Sequence, residues 1–551
     1  MPLITSLSRV LVIAAVVLGI AARVVDFDQV PPGLNQDEAS IGYEAWSLLH
    51  DGIDRNGLSW PVHLISWGSG QNALYAYAAM PLIVVFGLSV MTTRLPMLVM
   101  GLLSLGLTWF SAHRLFGKSA AWGATSLLAL SPWHIMLSRW SLESNILPFV
   151  FLGGLACLVF GITPRRWPGD VPGEIQADRA LRPPRPLSET EATSPHEPRL
   201  AQPLALVASG ALLGLCLYAY GTAYLAVPIF TGLALGLGLL TRRLTGRGAL
   251  LMLAAFVIVA TPIALFIAVN TFKLSTIVIA GVSIPRMPVT PRFETQLAEG
   301  PLAHAGQLGQ LLLTQRDGTV YNVTDPYGVM YSVVFFALAI LLAIVTMIFV
   351  AARRWPPQRM LIVLWLVACL PTGIVQEPNI NRINLLLAGL VVASGIGLGV
   401  LALRLKGALV AGLSAALVLF GFFAHDYFTT QPGKIAPEFF AGLTPALARA
   451  QAVAGPSGPV CVTGNVNMPY IFALFTERTD PHVFTRTVHY VDPAAPFRDV
   501  SAFGRYTFGL DRCDYGQAWV VVARDDKDAA SVPDLFRKDQ SFGLFSVYVR
   551  R

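Results

Sequence analysis

The adjacent carboxylates Asp37 and Glu38 lie in Pro31-Pro32-Gly33-Leu34-Asn35-Gln36-Asp37-Glu38-Ala39-Ser40, just past the first membrane-length apolar run. Only 13% of the chain is charged, so two acids beside an apolar boundary stand out. They are costly there unless hydrated or paired. A carboxylate near such a boundary can have a raised pKa and take a proton from a positioned hydroxyl. Helical periodicity from Asp37 to Leu49 puts Ile41, Ala45, Leu48 and Leu49 on one face. Asp37 then stands at or just before the helix start, where the dipole and free N–H groups favour an acid. Capping and proton transfer are compatible roles, because a cap also holds a carboxylate still. Glu38 can hold the acceptor, tune Asp37 electrostatically, or simply be solvated.

Other polar groups gather in the same kind of place. Gln71, Asn72 and Tyr75 close the loop that carries the acidic pair, where they can bind sugar hydroxyls or serve as interfacial anchors. Arg139 and Glu143 are four apart, so on a helix they share a face and can pair. Glu143 is then a second acid and Arg139 an anion partner, or the two only neutralise each other. His134 has no His or Cys at metal-ligand spacing, so packing or hydrogen bonding is expected of it. Arg382, in Asn379-Ile380-Asn381-Arg382, can snorkel or bind a lipid phosphate through its guanidinium fork. Lys273, Arg286 and Arg292 are weaker versions of that cation. No zinc-ligand spacing, nucleophile elbow or phosphate-cradling loop occurs. Adjacent carboxylates can hold a divalent cation. No further clustered oxygen ligands accompany them, so a metal-independent site with no cofactor is the expectation.

The elements that position these groups are membrane helices. The 551 residues are 54% hydrophobic, with mean hydropathy +0.60. Apolar runs near 8–24, 92–112, 119–138, 145–162, 203–220, 222–240, 248–269, 328–351, 360–376, 384–403 and 407–425 have spanning length. A polytopic membrane protein of about 11 transmembrane helices follows, with the first run retained as a span. The net charge of +7 is no sign of nucleic acid. Much of the basic excess sits at Arg114/Lys118, Arg165/Arg166, Arg242/Arg243/Arg247, Arg353/Arg354/Arg359 and Arg404/Lys406. All these clusters fall on the N-terminal side, which the positive-inside rule makes cytoplasmic. Leu74 to Ser89 is short and interrupted by Pro81, so it reads as a helix in the outer interface rather than a span. Residues 26–73 and 270–327 are then long outer loops, and 163–202 is a cytoplasmic loop too polar to bury a core.

Residues 1–426 form the membrane part, and 427–551 read as a small extracytoplasmic α/β domain. Val460-Cys461-Val462, Ala518 to Val522 and Phe545 to Val549 have strand patterns. Thr444 to Ala452 reads as a helix capped by Thr444 with Pro445 first. Cys461 and Cys513 either form a disulfide in that compartment or remain two buried thiols. Cys157, Cys216 and Cys369 lie in apolar runs and read as packing residues.

The chain resembles the polytopic, lipid-phosphate-sugar-dependent glycosyltransferases of the GT-C fold. Its nearest groups there are the bacterial relatives of protein O-mannosyltransferases and of lipid A aminoarabinose transferases. The resemblance rests on Pro31 through Tyr43, on Arg94-Leu95-Pro96, on Ser131-Pro132-Trp133-His134, and on Ser138-Arg139 through Glu143-Ser144-Asn145. It is strong over residues 1–160, weaker in the later spans, and only architectural beyond them. It implies that Asp37 deprotonates the acceptor, that Glu38 completes the acidic pair, and that Glu143 is the acid of the next outer loop. It also implies a polyprenyl-phosphate monosaccharide donor and transfer with inversion. The acceptor is a hydroxyl on a protein, lipid or glycan, in an enzyme of the cell membrane. Many relatives carry Lys-Pro-Pro where this chain reads Gln71-Asn72-Ala73, so the phosphate contact must come from Arg382, Arg139 or a base of the 270–327 loop. A transporter or lipid flippase is the rival reading, and a non-catalytic envelope assembly protein a third. Few charges within the spans and intact outer acids weigh against both.

Overall fold

A computed structural model describes residues 2–163, 201–289, 300–316, 330 and 332–551. Each of the eleven apolar runs is mostly helical in its described residues. Among the described residues nine helices are long and apolar enough to cross a membrane. The chain is an integral multi-pass membrane protein. Two runs fall short of spanning length. The run at 119–138 breaks at Ser131, giving α5 (Lys118–Leu130) and α6 (Pro132–Leu137), because Pro132 lacks the N–H needed to continue. The run at 203–220 forms the shorter α8 (Ala201–Leu215). The loop at 163–202 and Arg292 lie almost wholly outside the described residues.

The first helices in order are α1 (Pro2–Val24), α2 (Gln36–Asp51), α3 (Leu74–Phe86) and α4 (Val90–Phe116). Of these α2 and α3 are too short or too polar to span. The α2 helix starts where the sequence suggests, but its cap is Asn35, not Asp37. The Asn35 Oδ1 accepts the Asp37 N–H at 2.9 Å, and the Glu38 carboxylate returns to the Asn35 N–H at 3.1 Å. That reciprocal box contributes about 1 kcal/mol. It ends at Gly52 in the left-handed region. Upstream, Gly33 has φ 78°, and a Cβ there would lie 2.2 Å from the Phe439 carbonyl oxygen. Only glycine lets the Pro31–Leu34 turn come so close to the segment after the last span.

Later helices α7 (Ile146–Ile162), α9 (Ala223–Leu240) and α10 (Gly246–Thr271) close the first half of the bundle. The most enclosed is Asn384–Leu401, whose Gly395 and Gly399 meet the backbone of α5 around Ser119–Ala124. Small residues permit such close approach between membrane helices. A hairpin, β1 (His63–Leu64) with β2 (Gln71–Asn72), folds the end of the first outer loop back on itself. A second hairpin, β3 (Ile277–Ile279) with β4 (Val282–Ile284), leans on α10 and buries Ile284 with Val62 and Phe266.

Beyond the last spanning helix, Ala408–Thr429, lies one seven-stranded sheet. Its strands are β5 (Val460–Val462), β6 (His489–Tyr490), β7 (Val500–Phe503), β8 (Tyr506–Phe508), β9 (Val520–Arg524), β10 (Phe536–Phe542) and β11 (Phe545–Arg550). The order is β10-β11-β9-β5-β8-β7-β6. Central β5 runs parallel to β8 and β9, and the outer pairs are antiparallel. The helix expected at Thr444 spans Leu443–Ala454 and is preceded by Gly442 at φ 98°, so Thr444 is inside it rather than its cap. Cys461 and Cys513 are disulfide-bonded, 52 residues apart in sequence with Cα atoms at 5.9 Å. Closing a loop of that length is worth about 4 kcal/mol in the chain-entropy account. The Cys461→Ala/Cys513→Ala variant is therefore expected to lower the thermal transition of the sheet domain, read by calorimetry and by faster proteolysis after the last span.

Candidate active site

The two carboxylates at 37 and 38 have different surroundings. Glu38 is 0% exposed. One oxygen accepts Arg94 Nε at 2.8 Å, Ser141 Oγ at 2.7 Å and the Ser141 N–H at 3.0 Å. The other accepts Arg94 Nη2 at 2.8 Å and the Asn35 N–H at 3.1 Å. Burial alone would raise this carboxyl. The Arg94 charge, the Arg94 hydrogen bonds and the two backbone N–H groups outweigh it and hold the pKa below the usual range. These five hydrogen bonds engage both Glu38 oxygens. Glu38 is a brace tying α2 to α4 and to the 141–145 turn. Asp37 is half-buried one position earlier, and its Oδ1 accepts the indole N–H of Trp67 at 3.1 Å.

Glu143 begins a single 3-10 turn and is nearly buried, with Oε2 accepting the backbone N–H of Asn72. Asp37 and Glu143 thus meet the two ends of one short loop, at Trp67 and at Asn72. Gln71 in that loop is buried. Its Oε1 accepts Ser40 Oγ at 2.8 Å and Ser66 Oγ at 3.0 Å, and Ser40 lies one turn along α2 from Asp37.

A small, partly open cleft of about 40 Å³ lies beside the loop. It is lined by Glu143 and Asn72, by His63 and Ser69 of the first loop, and by Tyr220, Thr222, Tyr224 and Gln376. Its contributors come from four separate connections between helices. No Lys or Arg is among the lining residues. The His63 ring stacks on Phe266 with centroids 4.4 Å apart, and burial pushes its pKa down to about 3. It is therefore neutral and offers one donor and one acceptor. His63 Nδ1, Ser69 Oγ and Asn72 Oδ1 are buried polar atoms with no hydrogen-bond partner among the described residues. Unsatisfied polar atoms converging on a cleft suit a polyhydroxylated ligand that would complete them.

Several expected binding residues lie elsewhere. Arg139 does not pair with Glu143, because the chain between them turns after Leu137 instead of continuing as a helix. Its guanidinium donates to the carbonyls of Val30, Ala22, Arg23 and Asp26 at 2.6–3.0 Å, closing the C-terminal end of α1. His134 Nδ1 lies 2.7 Å from Arg23 Nη2 inside the bundle and does not line the cleft. Tyr75 is buried with its hydroxyl on the Thr93 carbonyl at 3.0 Å. Arg382 Nη1 donates to the Glu377 carbonyl at 2.7 Å and pairs with its carboxylate at 3.0 Å, six residues past Gln376 of the cleft. His63, Trp67, Tyr220, Thr222, Tyr224 and Gln376 were not singled out by sequence. The signal for Tyr220–Tyr224 was present, as polar aromatic residues in the turn between two apolar runs. Among the described residues, Asp51, Asp480 and His482 alone bring three possible metal ligands together. All three are exposed, and neither Asp37 nor Glu143 belongs to the group.

No protein-family model and no curated protein matches the sequence. Solved structures do. ArnT from Cupriavidus metallidurans in the apo state aligns at TM-score 0.54 and 15% identity, over 97% of this chain and 97% of that one. The same protein bound to undecaprenyl phosphate aligns at TM-score 0.53 and 16% identity, over 98% of this chain and 97% of that one. The Archaeoglobus fulgidus oligosaccharyltransferase in complex with Zn and sulfate aligns at TM-score 0.49 and 13% identity, over 93% of this chain and 68% of that one. From its first span to its last strand, the chain has the GT-C fold of ArnT.

Proposed function

We propose that this protein is a membrane glycosyltransferase that moves a monosaccharide from a polyprenyl-phosphate donor to an acceptor hydroxyl on the extracytoplasmic face, with inversion. One observation carries the reading: Asp37 and Glu143 flank a single loop beside a polar, hydroxyl-seeking cleft with no Lys or Arg in its lining. The GT-C fold, and a relative in that fold bound to undecaprenyl phosphate, supply the donor class. In the proposed step Asp37 takes the acceptor proton. The acceptor oxygen forms a bond to the anomeric carbon as the bond from that carbon to the phosphate oxygen breaks. Polyprenyl phosphate leaves with the electron pair. Glu143 and the cleft hydroxyls orient the sugar. Arg382 is the cation we assign to the departing phosphate, since its pair with exposed Glu377 is worth only about 0–1 kcal/mol and can be exchanged. Arg139 is spent on backbone carbonyls.

The outward orientation rests on two further observations. The basic clusters lie on the N-terminal side of the spans, and the sheet domain holds a disulfide, which persists in oxidising compartments. The test is to incubate the purified protein in liposomes with labelled polyprenyl-phosphate monosaccharides and envelope acceptors. Label leaving the lipid for an acceptor supports the reading. Label that crosses the bilayer still joined to its lipid supports a flippase and overturns it. Glu143→Gln removes a charge but keeps an acceptor for the Asn72 N–H, so it is expected to lower kcat about 10- to 100-fold while the protein still folds. Steady-state kinetics with the active donor check this.

A further inference from the structure

Trp67 has a place in the site that nothing in the proposed chemistry yet uses. Its side chain is 2% exposed, and its one polar atom, the indole N–H, donates to Asp37 Oδ1 at 3.1 Å. One face of the ring carries the guanidinium of Arg55, with Cζ 4.7 Å from the ring centroid. Arg55 is itself buried and cannot drift. Its Nε lies 3.4 Å from Glu44, its backbone N–H donates to the other Glu44 oxygen at 3.0 Å, and its Nη1 donates to Ser40 Oγ at 2.9 Å. Arg55 is therefore tied to α2 at two points, within two turns of Asp37.

The other restraints come from the sheet domain. Tyr470 meets the indole edge-on at 6.2 Å between centroids. The Trp67 carbonyl accepts the Arg498 N–H at 2.8 Å, and Gly68 forms an antiparallel bridge with Phe497. Gly68 has φ 105°, and a Cβ there would lie 2.7 Å from Arg498 Nε. The absence of a side chain at 68 lets the 497–498 segment clamp the loop.

We infer that Trp67 is a positioning residue for the base, held jointly by the first loop and the C-terminal domain, so that this domain helps to complete the site in the membrane part. The inference rests on the proposed role of Asp37. A fixed N–H on one oxygen restrains the carboxylate and favours its charged form. A cation over the indole face draws electron density from the ring and makes the N–H a better donor. The alternative is that Trp67 only fills space between the two parts. Trp67→Phe keeps an aromatic ring beside Arg55 and deletes the N–H together with the pyrrole part of the indole, so the loss due to packing is read separately, in the Asp37→Asn background.

The experiment is a double-mutant cycle on the full-length protein in liposomes, with Trp67→Phe, Asp37→Asn and the pair, using the labelled lipid-phosphate sugar that the wild type consumes. Trp67→Phe is expected to lower kcat about 10- to 100-fold, the worth of a hydrogen bond to a charged group. KM for donor and acceptor should stay within about twofold, and the acid limb of the pH–rate profile should move to higher pH. In the Asp37→Asn background Trp67→Phe should cost nothing further. An unchanged kcat and acid limb for Trp67→Phe, with Asp37→Asn inactive, overturns this inference alone. An equal loss in both backgrounds assigns Trp67 to packing and overturns it too. Full transfer by Asp37→Asn overturns the base assignment itself.

Discussion

Asp37→Asn is expected to abolish most transfer, by about 10²- to 10⁴-fold in kcat, while leaving the fold intact. The substitution is nearly isosteric, and the amide oxygen can still accept the Trp67 N–H. The cap of α2 uses the backbone N–H of residue 37, not its side chain, so it survives. What is lost structurally is one negative charge in the first turn of a helix, worth about 0.3–1 kcal/mol. Thermal unfolding in detergent should therefore shift by only a few degrees. Donor binding should persist, because Asp37 is not among the residues lining the cleft.

One position along, Glu38→Ala should do the opposite and act on stability. Removing this carboxylate leaves the Arg94 guanidinium buried with two donors deprived of a partner, although two others still reach the carbonyls of Pro31 and Gly33. It also strands the Ser141 and Asn35 N–H groups. Breaking one side of such a pair costs roughly 3–5 kcal/mol, a large share of a typical folding margin. Yield and melting temperature should fall together. Removing both charges, as Glu38→Leu with Arg94→Met, should recover part of the loss, since neither ion is then buried alone. The pH dependence has a fixed sign. The Glu38 pKa is depressed in the folded state, so its contribution is full at neutral pH and disappears as pH falls below the ordinary carboxylate range. Thermal melts of wild type and variant from neutral to acid pH should therefore converge.

This division between neighbours could not be read from their spacing. Periodicity found α2, and apolar length found the membrane helices, because both are local properties of the chain. The identity of the cap was missed by two residues, a usual margin for helix boundaries. The partners of Glu38 lie 56 and 103 positions away at Arg94 and Ser141, and those of Arg139 lie more than 100 positions away. Nothing local distinguishes an arginine that closes a helix end from one that awaits a phosphate. Helical spacing between Arg139 and Glu143 misled for the same reason, since the chain there is a turn. The cleft illustrates the limit most clearly. Tyr220, Tyr224 and Gln376 meet Glu143 only after four connections converge, and each alone looks like ordinary interfacial polarity. The lining residues do gather at one end of the apolar runs, in or beside the connections opposite the basic clusters.

The most direct test of the account is the release of free polyprenyl phosphate, measured by mass spectrometry after the purified protein meets a polyprenyl-phosphate monosaccharide and an acceptor. Wild type should release one lipid phosphate per sugar transferred, and Asp37→Asn at least about 100-fold less under the same conditions. Equal release by the two proteins, or sugar moved across the bilayer with no lipid phosphate freed, would contradict it.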